Sequence, residues 1–139
     1  MKRRWIIAGA TCIALIYAGV LVRTVRRNRQ LAKRAAAYRI RAEQGDPKSQ
    51  WALGSMYYYG KGVPQDFTEA ARWYRKSADQ GYPRGQYDLG YMYYYGYGVP
   101  QDRVKAHNLF WEAAAHGDDY ARRSLQPSID PGAGLGWLQ

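Results

Sequence analysis

Few side chains in this chain are able to do acid-base, nucleophilic or metal chemistry, and their spacing does not favour it. A zinc centre needs paired Cys/His ligands at short intervals. The chain has one cysteine, Cys12, and two histidines, His107 and His116, in no such pairing. Gly60-Lys61-Gly62 and Gly96-Tyr97-Gly98 are glycine-rich. They lack the preceding strand and the following Gly-Lys-Ser/Thr of a phosphate-binding loop. Asp66 and Asp102 occupy equivalent places in a repeat, which suits helix capping and not an acid/base pair. No catalytic residue, metal or cofactor is expected. The chemistry on offer is recognition: 11 of the 14 tyrosines fall between Tyr57 and Tyr97. Tyrosine gives a large contact area and a polar tip at little cost in rotamer entropy.

What positions these rings is a 36-residue unit that occurs twice, over residues 46–81 and 82–117, with 17 identical positions and no gap. The shared frame reads P-x-x-Q-x-x-L-G-x-M-Y-Y-Y-G-x-G-V-P-Q-D. Periods of this length mark a solenoid, whose units bury their apolar faces by stacking on one another. Pro47 suits the first turn of a helix. Leu53, Met56 and Tyr57 form its apolar stripe, and Gly60 ends it. Asp66 is an N-cap, with Glu69 placed for a capping box. Copy two has Lys105 there and keeps only the Asp102 cap. The second helix carries Ala70, Trp73, Tyr74, Ser77 and Ala78, matched in copy two by Ala106, Leu109, Phe110, Ala113 and Ala114. Partial units flank the pair. Tyr38, Ala42 and Gly45 fall on Tyr74, Ala78 and Gly81, and Leu125 falls on Leu89. Residues 31–126 are therefore expected to form six helices of an all-α, α/α helical-repeat solenoid. Arg34, Arg39, Arg41, Arg122 and Arg123 would wet its ends.

L-G-x-M-Y, G-x-G-V-P-Q-D, Trp73-Tyr74 and the closing Ala-x-x-Gly resemble the Sel-one-like repeats (SLR), relatives of the tetratricopeptide repeats. The resemblance covers about 95 residues. It departs at Ser77, Arg103 and Leu109-Phe110. It implies a superhelical scaffold for protein–protein interaction, without implying a given partner.

At about 100° per residue, Trp51, Ser55, Tyr58 and Tyr59 lie roughly opposite Leu53 on the first helix. Tyr87, Tyr91, Tyr94 and Tyr95 repeat the pattern in copy two. In tetratricopeptide-like stacks the first helices line the concave face. Trp51, Tyr58, Tyr59, Tyr87, Tyr91, Tyr94 and Tyr95 are thus the candidate partner-binding residues for an unidentified protein or peptide. The competing expectation is that these rings pack one unit against the next.

Residues 5–22 contain no charge, near the lower limit for a membrane-spanning helix, and follow the basic tail of residues 1–4. No small-x-small cleavage site follows the run, so an uncleaved single-pass anchor is expected. Residues 1–45 hold 11 basic side chains and one acidic, a balance of +10, whereas residues 46–139 balance to zero. The basicity thus belongs to the anchor region. Within the basic segment 23–30, Arg23, Arg26, Arg27 and Arg29 are expected to lie against anionic lipid, and no nucleic-acid partner is expected. Six basic side chains after the run against three and an α-amine before it favour cytoplasmic repeats. The alternatives are a periplasmic or secreted envelope factor with a cleaved signal peptide, and a basic nucleic-acid-associated protein. Residues 127–139, rich in Gly and Pro, read as a flexible tail in which Trp137-Leu138 offers a docking motif.

Overall fold

The computed structural model describes residues 2–125, with side chains from residue 17 onward. Six helices follow in order: α1 (Lys2–Glu43), α2 (Pro47–Tyr59), α3 (Phe67–Ala78), α4 (Pro83–Tyr95), α5 (Arg103–Ala115) and α6 (Asp119–Leu125). Each packs chiefly on its neighbours in the chain, as a solenoid requires. Units α2–α3 and α4–α5 are the two full repeats. The end of α1 and α6 close the stack.

The apolar stripes meet as their spacing predicts. Leu53, Met56, Leu89, Met92 and Tyr93 are buried on the first helices, and Ala70, Trp73, Tyr74, Ser77 and Ala78 on α3. Ala106, Phe110 and Ala113 take the same places on α5, whereas Leu109 and Ala114 are half-buried. The flanking partial units are real packing elements: Ala42 joins Leu53 and Trp73 in one core cluster, with Tyr38 against it.

Helix ends follow their capping chemistry. The Asp66 carboxylate accepts from the backbone N–H of Thr68 and Glu69, and Asp102 accepts from that of Lys105. The expected capping box is only half formed, because the Glu69 carboxylate pairs instead with Arg72 at 3.4 Å. Asp46 caps α2 through the Ser49 N–H, a role the sequence reading did not give it.

Each invariant polar residue of the frame has a task in the stack. Gln65 and Gln101 donate to the carbonyls of Tyr58 and Tyr94, both at 2.8 Å, pinning each connector to the helix before it. Gln50 and Gln86 are buried between units. Gln50 donates to the Ala42 carbonyl, and Gln86 donates to Glu112 and meets His116 Nδ1 at 2.9 Å. Ser77, where the family pattern has Ala, donates to the Pro47 carbonyl at 2.7 Å.

α1 differs from the expected division into an anchor, a basic segment and a repeat helix. It is one helix of 42 residues, about 63 Å long at 1.5 Å per residue. The boundaries expected at 22/23 and 30/31 fall inside it. Among the described residues no helix is long and apolar enough to cross a membrane. Most of the uncharged run lies before residue 17, so the anchor reading rests on side chains outside the described ones. The tail 127–139, with its Trp137-Leu138 motif, also lies outside the described residues.

Candidate partner-binding cleft

A cleft of about 410 Å³ opens across the first helices of the units. α2 contributes Trp51, Ser55, Tyr58 and Tyr59, and α4 contributes Arg84, Tyr87, Asp88 and Tyr91. Tyr74 reaches in from α3, and Tyr120 closes the far end from α6. The helical period explains the arrangement: these positions stand off the Leu53/Met56 and Leu89/Met92 stripes, so burying those stripes aligns the rings of successive units side by side.

The structure thus brings together five of the seven expected residues, Trp51, Tyr58, Tyr59, Tyr87 and Tyr91. Tyr94 and Tyr95 are not in the lining. Tyr94 packs against the core with the Arg103 guanidinium 5.5 Å from its ring centroid, and Tyr95 is 51% exposed. Several rings also pack between the helices of one unit, at Phe67 and Phe110, and onto the following unit, at Tyr97 and Tyr120. Tyr58 meets Phe67 at 5.2 Å and Tyr97 at 6.2 Å, and Tyr87 meets Phe110 at 5.4 Å and Tyr120 at 6.0 Å. Groove and inter-unit packing are therefore two sides of the same side chains. Tyr59, 62% exposed, is the most open ring of the lining.

Polar groups at the cleft floor escaped the sequence reading. The Trp51 indole N–H donates to Asp88 Oδ2 at 2.6 Å, across the two repeats. Asp88 is half-buried, and burial pushes its carboxyl up to about 6 despite the indole bond and the Arg84 charge, which oppose the shift. Arg84 pairs with Asp118 at 3.4 Å and lies over the rings of Tyr120 and Trp51 at 4.6 and 5.9 Å. Tyr74 donates to Ser55 Oγ at 3.1 Å, and its burial holds the phenol above its ordinary range. Burial likewise pushes the Tyr58 hydroxyl up to about 12 and raises that of Tyr91, so these phenols stay neutral donors at physiological pH. Asp88 was hard to find because its counterpart in the first unit is Ala52, outside the shared frame.

Arg23, Arg26, Arg27 and Arg29 are exposed along α1. Arg27 also lines a second, wider cleft of about 790 Å³ with Asn28, Leu31, Lys61 and Val63, between α1 and the first glycine connector. His116 is held by Gln86, and His107 stands edge-on to Phe110 at 6.3 Å. Among the described residues no three His, Cys, Asp or Glu side chains group as a metal site.

The Sel1 repeat family matches residues 47–82 and 83–118. Solved structures agree with that match. A protective antigen of uropathogenic Escherichia coli displaying an SLR fold is 36% identical, with a TM-score of 0.66 over 68% of this chain. The match spans only 20% of that antigen's own length. A Sel1 repeat protein from Oxalobacter formigenes is 44% identical, with a TM-score of 0.63 over 64% of this chain and 67% of the other. Helicobacter pylori cysteine rich protein B is 31% identical, with a TM-score of 0.57 over 60% and 62% of the two chains. No curated protein matches. Sel1 repeat proteins are generally scaffolds that bind other proteins. With two matched repeats, the observed α/α stack and these structural relatives, the chain belongs to the Sel1 repeat family.

Proposed function

We propose that the protein is a single-pass, membrane-anchored adaptor that holds a segment of a partner protein in the aromatic cleft. The observation that carries the reading is the cleft itself: six rings from two repeats line one opening, around a floor of placed polar groups. Ligand sites commonly combine apolar walls with a few oriented polar groups in this way. The anchor is the uncharged run of residues 5–22, which α1 continues without a break into the repeats. Arg23, Arg26 and Arg27, one helical turn apart, would meet lipid headgroups just beyond it, and Arg29 adds to their charge. Tethering at the bilayer raises the local concentration of the cleft towards membrane-bound partners. The greater basic charge after the run supports repeats on the cytoplasmic side.

Tyr59→Ala and Tyr58→Ala test the cleft. Tyr59 is exposed, so its loss should leave stability within about 0.5 kcal/mol and weaken partner recovery. Tyr58 packs on Phe67 and Tyr97, so its loss should destabilise by about 2–4 kcal/mol. Unchanged partner recovery by folded Tyr59→Ala would count against the cleft. A second reading, an envelope factor with extracytoplasmic repeats, is favoured by the likeness to an Escherichia coli protective antigen. Digestion of the repeats once only the outer barrier is opened would favour it.

A further inference from the structure

The chemistry of the cleft floor narrows the kind of segment it suits. Asp88 has one hydrogen bond, from Trp51 to Oδ2, and no cation within ion-pair distance among the described residues. The nearby guanidinium, Arg84, is paired with Asp118. Asp118 is itself buried and also accepts from the Ala121 N–H at the start of α6. Two carboxylates therefore share one cation at this end of the cleft, and the unmatched charge is Asp88. Lys61 stands over the Tyr59 ring at 4.7 Å and is not in the lining. The rings of Trp51, Tyr58, Tyr87 and Tyr91 line the same cleft as Asp88. Aromatic faces carry negative potential and hold cations within about 6 Å of the ring centre. Arg84 already lies in that manner over two rings of the cleft, Tyr120 and Trp51.

Resting on the cleft reading above, we propose that the partner segment presents a lysine or arginine side chain, seated between the tyrosine rings with its charge against Asp88. The alkyl stem lies on the ring faces, and the cationic head meets the carboxylate left without an ion pair. A neutral or acidic side chain in the same place would leave Asp88 uncompensated in a half-buried site.

The test uses the full chain in detergent micelles, with N-acetyl-arginine amide as probe and N-acetyl-citrulline amide as its neutral isostere. The readout is the Trp51 indole N–H resonance, assigned by comparison with Trp51→Phe. The expected result is a saturable shift with arginine amide, at least about tenfold weaker with citrulline amide. Asp88→Asn, whose amide oxygen still accepts from Trp51, should erase the difference. Equal response to the two probes in the unchanged protein overturns the cation seat whether or not the variant folds. If a partner is nonetheless lost with Tyr59→Ala, the cleft reading stands and only its charge preference falls. No Trp51 response to either probe also overturns the seat; joined to unchanged partner recovery by Tyr59→Ala, it removes the cleft reading as well.

Discussion

Asp88 shows how one residue ties stability to recognition. Its carboxyl sits at about 6, raised chiefly by burial. Trp51 and Arg84 favour its charged form, whereas Asp118 opposes it. A carboxyl raised on folding favours the protonated form in the folded state. Its contribution is therefore present below the ordinary carboxylate range and is lost as pH rises through about 6. Asp88→Asn removes the charge and keeps an acceptor for Trp51. The variant should be more stable than the parent at pH 8, by about 2 kcal/mol, with the gap closing towards pH 4. Paired thermal melts across that range check it. A variant less stable at pH 8 would mean that the charged carboxylate supports the fold. Such a gain from deleting a polar group is common where a site is kept for binding. At this scale the sequence was partly legible. Helical period alone brought out Trp51, Tyr58, Tyr59, Tyr87 and Tyr91, but also Tyr94 and Tyr95, which lie off the same stripe and do not line the cleft. Asp88 and Arg84 depend on which residues of adjacent units meet, and a single helix does not encode that.

At the scale of elements, the glycine connectors do more than end helices. The sequence predicts that Gly60 ends α2, and Gly60 and its counterpart Gly96 both adopt positive φ, 63° and 74°. Gly62 and Gly98, two residues further on, press on the preceding unit of the stack. A Cβ on Gly98 would lie 2.3 Å from the Phe67 backbone, and one on Gly62 would lie 2.4 Å from Leu31. The connector of each unit thus seats on the second helix of the unit before it. This explains why the first unit needs α1 as a support. Gly98→Ala should cost about 3 kcal/mol or more, from overlap with backbone together with positive φ. Gly45→Ala, also at positive φ but with open space around it, should cost about 1 kcal/mol. Denaturant melts of the two variants separate packing from backbone strain. Equal losses would show that φ alone sets the requirement.

At the scale of the whole molecule, the repeat frame made the stacking order legible, because a unit with one apolar face per helix has few ways to bury it. The partial units were legible too, through Ala42 and Leu125. The junction with the amino-terminal region was not. Residues 23–30 read as a basic juxtamembrane segment separate from the repeats, yet a helix tolerates an exposed basic stretch when its flanking turns are already formed. Since α1 continues into the first repeat contact, a membrane anchor on residues 5–22 would hold the solenoid at a fixed rotation to the bilayer, with the cleft facing one direction. A photo-crosslinking residue placed at Tyr59, in the cleft, or at Val104, 73% exposed on α5, tests the central claim in living cells. The account predicts a discrete crosslinked partner from position 59, lost in the presence of Asp88→Asn, and none from position 104. Crosslinks of equal yield from both positions, or from position 104 alone, would contradict it.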